Sequence, residues 1–108
     1  MSEHELPDEE EIAEVLAEEL AKLRVENILV GALIQVSTVG YRKLGLTEET
    51  ESERDLEQTR VAIETMKALV PVLQQVVPED LLRDFEQSVA GLQLAYAKAK
   101  SEDAGGEG

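Results

Sequence analysis

A chain of 108 residues with a formal net charge of -14 and no cysteine has room for one small domain, which hides only about 60 to 65% of its unfolded surface and has no disulfide or thiolate-metal site to reinforce it. The acidic balance excludes nucleic acid and anionic membrane as expected partners, because both require clustered positive charge, and no basic patch with interleaved aromatics is present. The charge is also uneven: residues 1–20 carry nine acids and no Lys or Arg, residues 21–100 twelve acids and ten bases, and residues 101–108 three acids.

The chain opens "MSEHELPDEEE", without the basic start and apolar run of a secretory signal, so a cytoplasmic location is expected. Residues 1–7 are expected to be a disordered acidic segment. The first helix is predicted over about 8–23, with Ile12, Leu16, Leu20 and Leu23 on one face. Asp8, Glu9, Glu10 and Glu11 stand at its start, where acids suit the positive end of the helix dipole.

The second helix is predicted over about 24–44, either separate or continuous with the first. Its stretch "NILVGALIQVSTVG" has no charged side chain. The run is about fifteen residues with Tyr41 added, short of the roughly 20 that span a bilayer, so integral membrane insertion is not expected. At 100° per residue, Arg24, Asn27, Gly31, Gln35, Thr38 and Arg42 form a narrow polar stripe. The remaining arc is apolar and wider than the roughly 100° of an ordinary surface helix. Two flanks follow, and we expect Leu29, Ala32 and Val36 to face the core of the subunit and Val30, Leu33 and Ile34 to face a second subunit. Gly31 reads either as a site of close backbone approach or as a tolerated helix glycine.

"GLTEETESE", residues 45–53, is the main loop, with Thr50 and Glu53 spaced as a capping box. A third helix over 53–77 carries Leu56, Ile63, Met66 and Val70 on a heptad-like seam that also includes Thr59, Leu73 and Val77. Pro71 interrupts it and predicts a kink. Pro78 reads as the first turn of a last helix over 79–100, whose apolar face holds Leu81, Leu82, Phe85, Val89, Leu92 and Tyr96. "SEDAGGEG", residues 101–108, is polar and Gly-rich and is predicted to be a disordered tail.

No constellation of residues points to catalysis. His4 is the one histidine, without cysteine or a second histidine to form a metal site. Ser37, Ser52 and Ser88 have no base to activate them. The acids are abundant, yet no Glu-x-x-His pair of a di-iron bundle occurs, and the 45–53 loop lacks the alternating ligands and central glycine of an EF-hand. We therefore expect no enzyme activity, no cofactor and no bound metal.

Three segments, "ILVGALIQVSTVGYRKLG", "DLEQTRVAIETMKAL" and "PEDLLRDFEQSVAGLQLAY", between about Val25 and Tyr96, resemble the bacterial family of small proteins catalogued as domain of unknown function 1844. In that family an apolar helix ends in a Gly-containing loop, a second begins with an Asp-Leu pattern, and a third ends near an exposed Tyr. Pro71 and the acidic extension before Val25 depart from this pattern. The resemblance implies a compact helical unit and no reaction.

The expectation is an all-α protein, a small bundle of three to four helices completed by homo-oligomerisation, with a dimer as the expected state. Its core should hold Leu29, Ala32, Val36, Leu56, Ile63, Met66, Val70, Leu81, Phe85, Val89, Leu92 and Tyr96. The leading functional reading is a non-catalytic, self-associating protein of assembly or adaptor type, with room for an unidentified protein partner. Two alternatives stand beside it: a carrier that encloses an apolar ligand or lipid chain in the bundle, and an acidic regulator that binds a basic partner through residues 1–20.

Overall fold

A computed structural model describes Leu6 and residues 8–107, and these form four α-helices with no strand. Apart from Leu6, the acidic start expected to be disordered lies outside the described residues, as do His4 and Gly108. Helix α1 (Glu9–Lys22) starts where the acids predict: the Asp8 carboxylate accepts the Glu11 N–H at 2.8 Å, and Glu9, Glu10 and Glu11 fill the first turn. This cap satisfies one of the orphan donors of the helix start.

Helix α2 (Val25–Arg42) does not continue α1. Leu23 and Arg24 are extended, with ψ of 139° and 138°, and the two axes meet at 87°. After α2 the chain reverses through Leu44, which is fully buried, and Gly45 at φ +64°. Gly45 is required there twice over, because an added Cβ would adopt the left-handed region and lie 2.8 Å from the Cβ of Arg54. The Lys43 carbonyl then accepts the Asp55 N–H at 2.8 Å, tying the loop's far end to the end of α2.

The expected Thr50–Glu53 capping box does not form. Thr50 hydrogen-bonds Thr47 and Glu53 pairs with Arg42, while a short 3-10 turn spans Glu51–Glu53. Asp55 caps helix α3 (Leu56–Leu73) instead, accepting the Gln58 N–H at 3.3 Å. Helix α3 passes through Pro71 and stops at Leu73, one turn short of the expected end at Val77. Pro71 has no N–H to give its helix, and Pro78 disfavours helical geometry at Val77, so residues 74–77 turn rather than coil onward.

Helix α4 (Glu79–Glu107) begins at the predicted proline, whose carbonyl accepts the Leu82 N–H at 3.0 Å. Its other end corrects the expected disorder for residues 101–107, since the helix runs to Glu107; Gly108 lies outside the described residues. The guanidinium of Arg54 explains part of this extension: it donates to the Ala99 carbonyl at 3.3 Å and to the Asp103 carboxylate at 2.8 Å. No local pattern announces a contact between residues 49 apart.

Helices α2, α3 and α4 pack together, and the core they share includes Leu33, Leu44, Ile63, Met66, Leu73, Val89 and Leu92. Both α3 and α4 crowd against α2 at Gly40. An added Cβ there would stand 2.9 Å from the Cβ of Ala62 on α3 and 3.0 Å from Cδ2 of Leu92 on α4. The hydroxyl of Thr59, itself fully buried, donates to the Gly40 carbonyl at 2.9 Å. Helix α1 contributes nothing to this core, since every one of its residues is exposed. The radius of gyration, 20.1 Å, exceeds the ~13 Å of a compact chain of this size because that helix projects from the bundle.

Two glycines of α2 separate helix propensity from packing. Gly31→Ala is expected to stabilise by about 0.5–1 kcal/mol, because nothing lies within 4 Å of the new Cβ. Gly40→Ala should destabilise by about 1–3 kcal/mol in spite of the same propensity gain, because the methyl meets Ala62 and Leu92. Denaturant midpoints of the two variants check the opposite signs.

Candidate functional site

The core uses one flank of α2 and leaves apolar side chains outside it. Leu33 is only 5% exposed and lies among Leu29, Val30 and Val36, all packed on the same core. This corrects the expected division of the helix. Leu33 and Val30 belong to the subunit interior, whereas Ala32, expected inside, is exposed. The reason is the Gly40 crossing: residues 33 and 40 are two turns apart on one face, so fixing Gly40 against α3 and α4 turns Leu33 inward and Ala32 out. Ile34 is exposed.

Ile63, Met66, Val89 and Leu92 are buried, and Leu56, Val70, Phe85 and Tyr96 are half-buried. Leu81 is the other correction. It is 40% exposed because it sits in the first turn of α4, beyond the end of α3 that would cover it. Leu44, Ala62, Leu73 and Ala99 complete the core. Leu73 was visible on the predicted seam, whereas Leu44 depends on the loop reversal and Ala99 on the packing of α4.

Two apolar surfaces result. The larger runs over α1 and the outer side of α2: Ile12, Leu16, Leu20 and Leu23 on the first helix, then Val25 and Ile28, between 44% and 70% exposed. Val39 continues it at the C-terminal end of α2. Large apolar side chains left exposed in this number mark an interaction site. A helix of 14 residues with nothing buried is also too short to hold its own hydrogen bonds firmly in water.

The smaller is a groove of about 280 Å³ between the middle of α2, the end of α3 and the start of α4. Its walls are apolar, with Val30, Leu33, Met66, Leu73 and Phe85, and its polar groups are Ser37, Thr38, Asp84 and Ser88. The Thr38 hydroxyl is taken up by the Ile34 carbonyl of its own helix at 2.9 Å.

Around the 45–53 loop the charges are internal clasps. The guanidinium of Arg42 grips Glu53 through two bonds of 2.7 Å. These hydrogen bonds hold the Glu53 carboxyl below its ordinary value and raise Arg42. Whatever stability the depressed carboxyl adds is present above the ordinary carboxylate range and is lost as pH falls through the lowered value. Arg60 likewise clasps Glu57 and Glu64, which depresses Glu57 through its hydrogen bond. Among the described residues no cluster of three His, Asp or Glu is arranged to hold a metal ion. No single described helix is long and apolar enough to cross a membrane, and α1 with α2 reaches that composition only as a pair bent by 87°.

Compared with known proteins, the chain matches no family model, no curated protein and no solved structure.

The revised division of α2 has a direct test. Leu33→Lys is expected to unfold the protein, because a charge placed in a core costs more than about 3 kcal/mol against a total stability of only about 5–10 kcal/mol for a domain of this size. Ala32→Lys, on the exposed side, should keep the helical circular-dichroism spectrum and cooperative unfolding.

Proposed function

We propose that the chain is a non-catalytic, self-associating helical unit of assembly or adaptor type. The observation that carries this reading is the apolar surface over α1 and the outer side of α2, which no part of the described chain covers. The bundle of α2, α3 and α4 does not use this surface for its own core. Leaving it in water forgoes about 25 cal/mol for each Å² that association would bury, and a second protein surface is the most direct cover for it. Glu10, Glu11, Glu14 and Glu18 of α1 lie on the side away from Ile12, Leu16 and Leu20 and keep the unpaired form in solution, while Glu9 and Glu19 fall on the apolar face itself.

A second reading, a carrier for an apolar ligand, is favoured by the groove of about 280 Å³, which approaches the lower end of ligand pockets. The groove lies on the other flank of α2 from the larger apolar surface, so the two readings are separable by experiment.

Light scattering over a range of concentrations tests the first reading. The wild type should approach a multiple of 11.9 kDa, and Ile28→Lys should lower the mass while keeping the helical spectrum, since Ile28 is 53% exposed. A wild type that stays monomeric at high micromolar concentration overturns the proposal. Native mass spectrometry that finds non-peptide mass on a monomer supports the carrier instead.

A further inference from the structure

Resting on that self-association, we infer that two copies pair through the outer ridge of α2, antiparallel, about a two-fold axis that passes at Ala32. The ridge is formed by Val25, Ile28, Ala32, Val36 and Val39, which fall within an arc of about 80° at 100° per residue. Val25, Ile28, Ala32 and Val39 are exposed, and Val36 is half-buried at the edge of the core.

The successive spacings along the ridge are three, four, four and three, and they read the same in either direction. A two-fold interface requires this self-complementarity, because each residue i that meets j must also be met by j. Antiparallel about Ala32, Val25 meets Val39 and Ile28 meets Val36, so each end of the ridge finds an apolar partner. Ala32 meets its own copy, where a small side chain admits close approach of the axes. Slipping the register by four residues sets Val25 opposite Gln35 or Lys43 and breaks the match.

Charge selects this direction over a parallel pair. Helix α1 holds six glutamates against one lysine. Parallel pairing would bring both acidic helices to the same end of the contact. Antiparallel pairing sends them to opposite ends of α2, an 18-residue helix and thus ~27 Å long, well beyond the Debye length of ~8 Å at physiological ionic strength. Of the basic groups near the ends, Arg24 is held by Glu26 at 3.4 Å and Arg42 by Glu53 at 2.7 Å, whereas Lys43, one turn beyond Val39, makes no ion pair among the described residues.

Because the chain has no cysteine, single substitutions report the geometry directly. Ala32→Cys under mild oxidation should move most of the chain from 11.9 kDa to twice that mass on a non-reducing gel, since only side chains near the axis reach the separation of a disulfide. Val25→Cys and Val39→Cys, each alone, should stay single, and an equimolar mixture refolded together should give the cross-linked heterodimer, identified by a mass tag on one partner. All three positions are exposed, and a helical spectrum confirms each variant's fold. Cross-linking of Val25→Cys alone and Val39→Cys alone would mean a parallel pair. Absence of any cross-link in a protein that light scattering finds dimeric would place the contact elsewhere. Either result overturns the antiparallel inference and leaves self-association standing, whereas a monomeric wild type removes self-association itself.

Discussion

The bundle depends on the absence of a side chain at Gly40. There the backbone of α2 comes within van der Waals contact of Ala62 on α3 and Leu92 on α4, and the buried Thr59 hydroxyl binds the Gly40 carbonyl at 2.9 Å. The Gly40 carbonyl stands in the last turn of α2, where the helix supplies it no N–H because Leu44 donates to the Tyr41 carbonyl at 3.1 Å, and Thr59 takes that place. The hydroxyl thereby avoids the penalty of an unsatisfied buried polar group, and α3 is held to α2 at a defined height. Ala62 and Thr59 are small enough to permit this approach, and Leu92 fills the third side.

The orientation of α2 follows from that crossing. With Gly40 turned to the core, Leu33 two turns earlier is turned to it as well, and Leu29 and Val36 pack against the edge. The helix cannot rotate to bury its outer ridge without withdrawing Leu33 from Met66 and its neighbours. Its wide apolar arc is thus divided by geometry into a buried flank, an outer ridge with Val25, Ile28 and Val39, and a groove side with Ile34. The functional proposals concern the two portions left outside.

Outside the core, ion pairs position segments more than they stabilise them. Arg42 with Glu53 and Arg54 with Asp103 each join parts distant in sequence, yet both pairs are partly exposed, and such pairs contribute about 0–1 kcal/mol. Their geometric effect is nevertheless clear. Arg42 gathers the 45–53 loop under the end of α2, and Arg54 reaches from that loop to α4, where it meets the Ala99 carbonyl. Within the acidic 45–53 loop, Glu53 is taken by the guanidinium of Arg42.

Local chemistry determined much of this protein in the sequence alone. The all-helical class, the Asp8 cap with its acidic first turn, the seam of Ile63, Met66 and Leu73, the restart at Pro78 and the face of Val89 and Leu92 all rest on interactions within a few residues, which periodicity records. The tertiary structure decided what depends on distant neighbours. No proline or glycine marks the 87° break at Leu23 and Arg24. Nothing local distinguishes Gly40, packed against two helices, from Gly31, with open space around it. The side of α2 that carries Leu33 inward and Ala32 outward follows from that contact, and the helix beyond Lys100 is met by an arginine 49 residues away from Asp103. A hydrophobic pattern states how much of a helix should be covered, because burial is non-directional and proportional to area. Which face is covered, and by what, depends on close-packed contacts between segments that the linear order keeps apart.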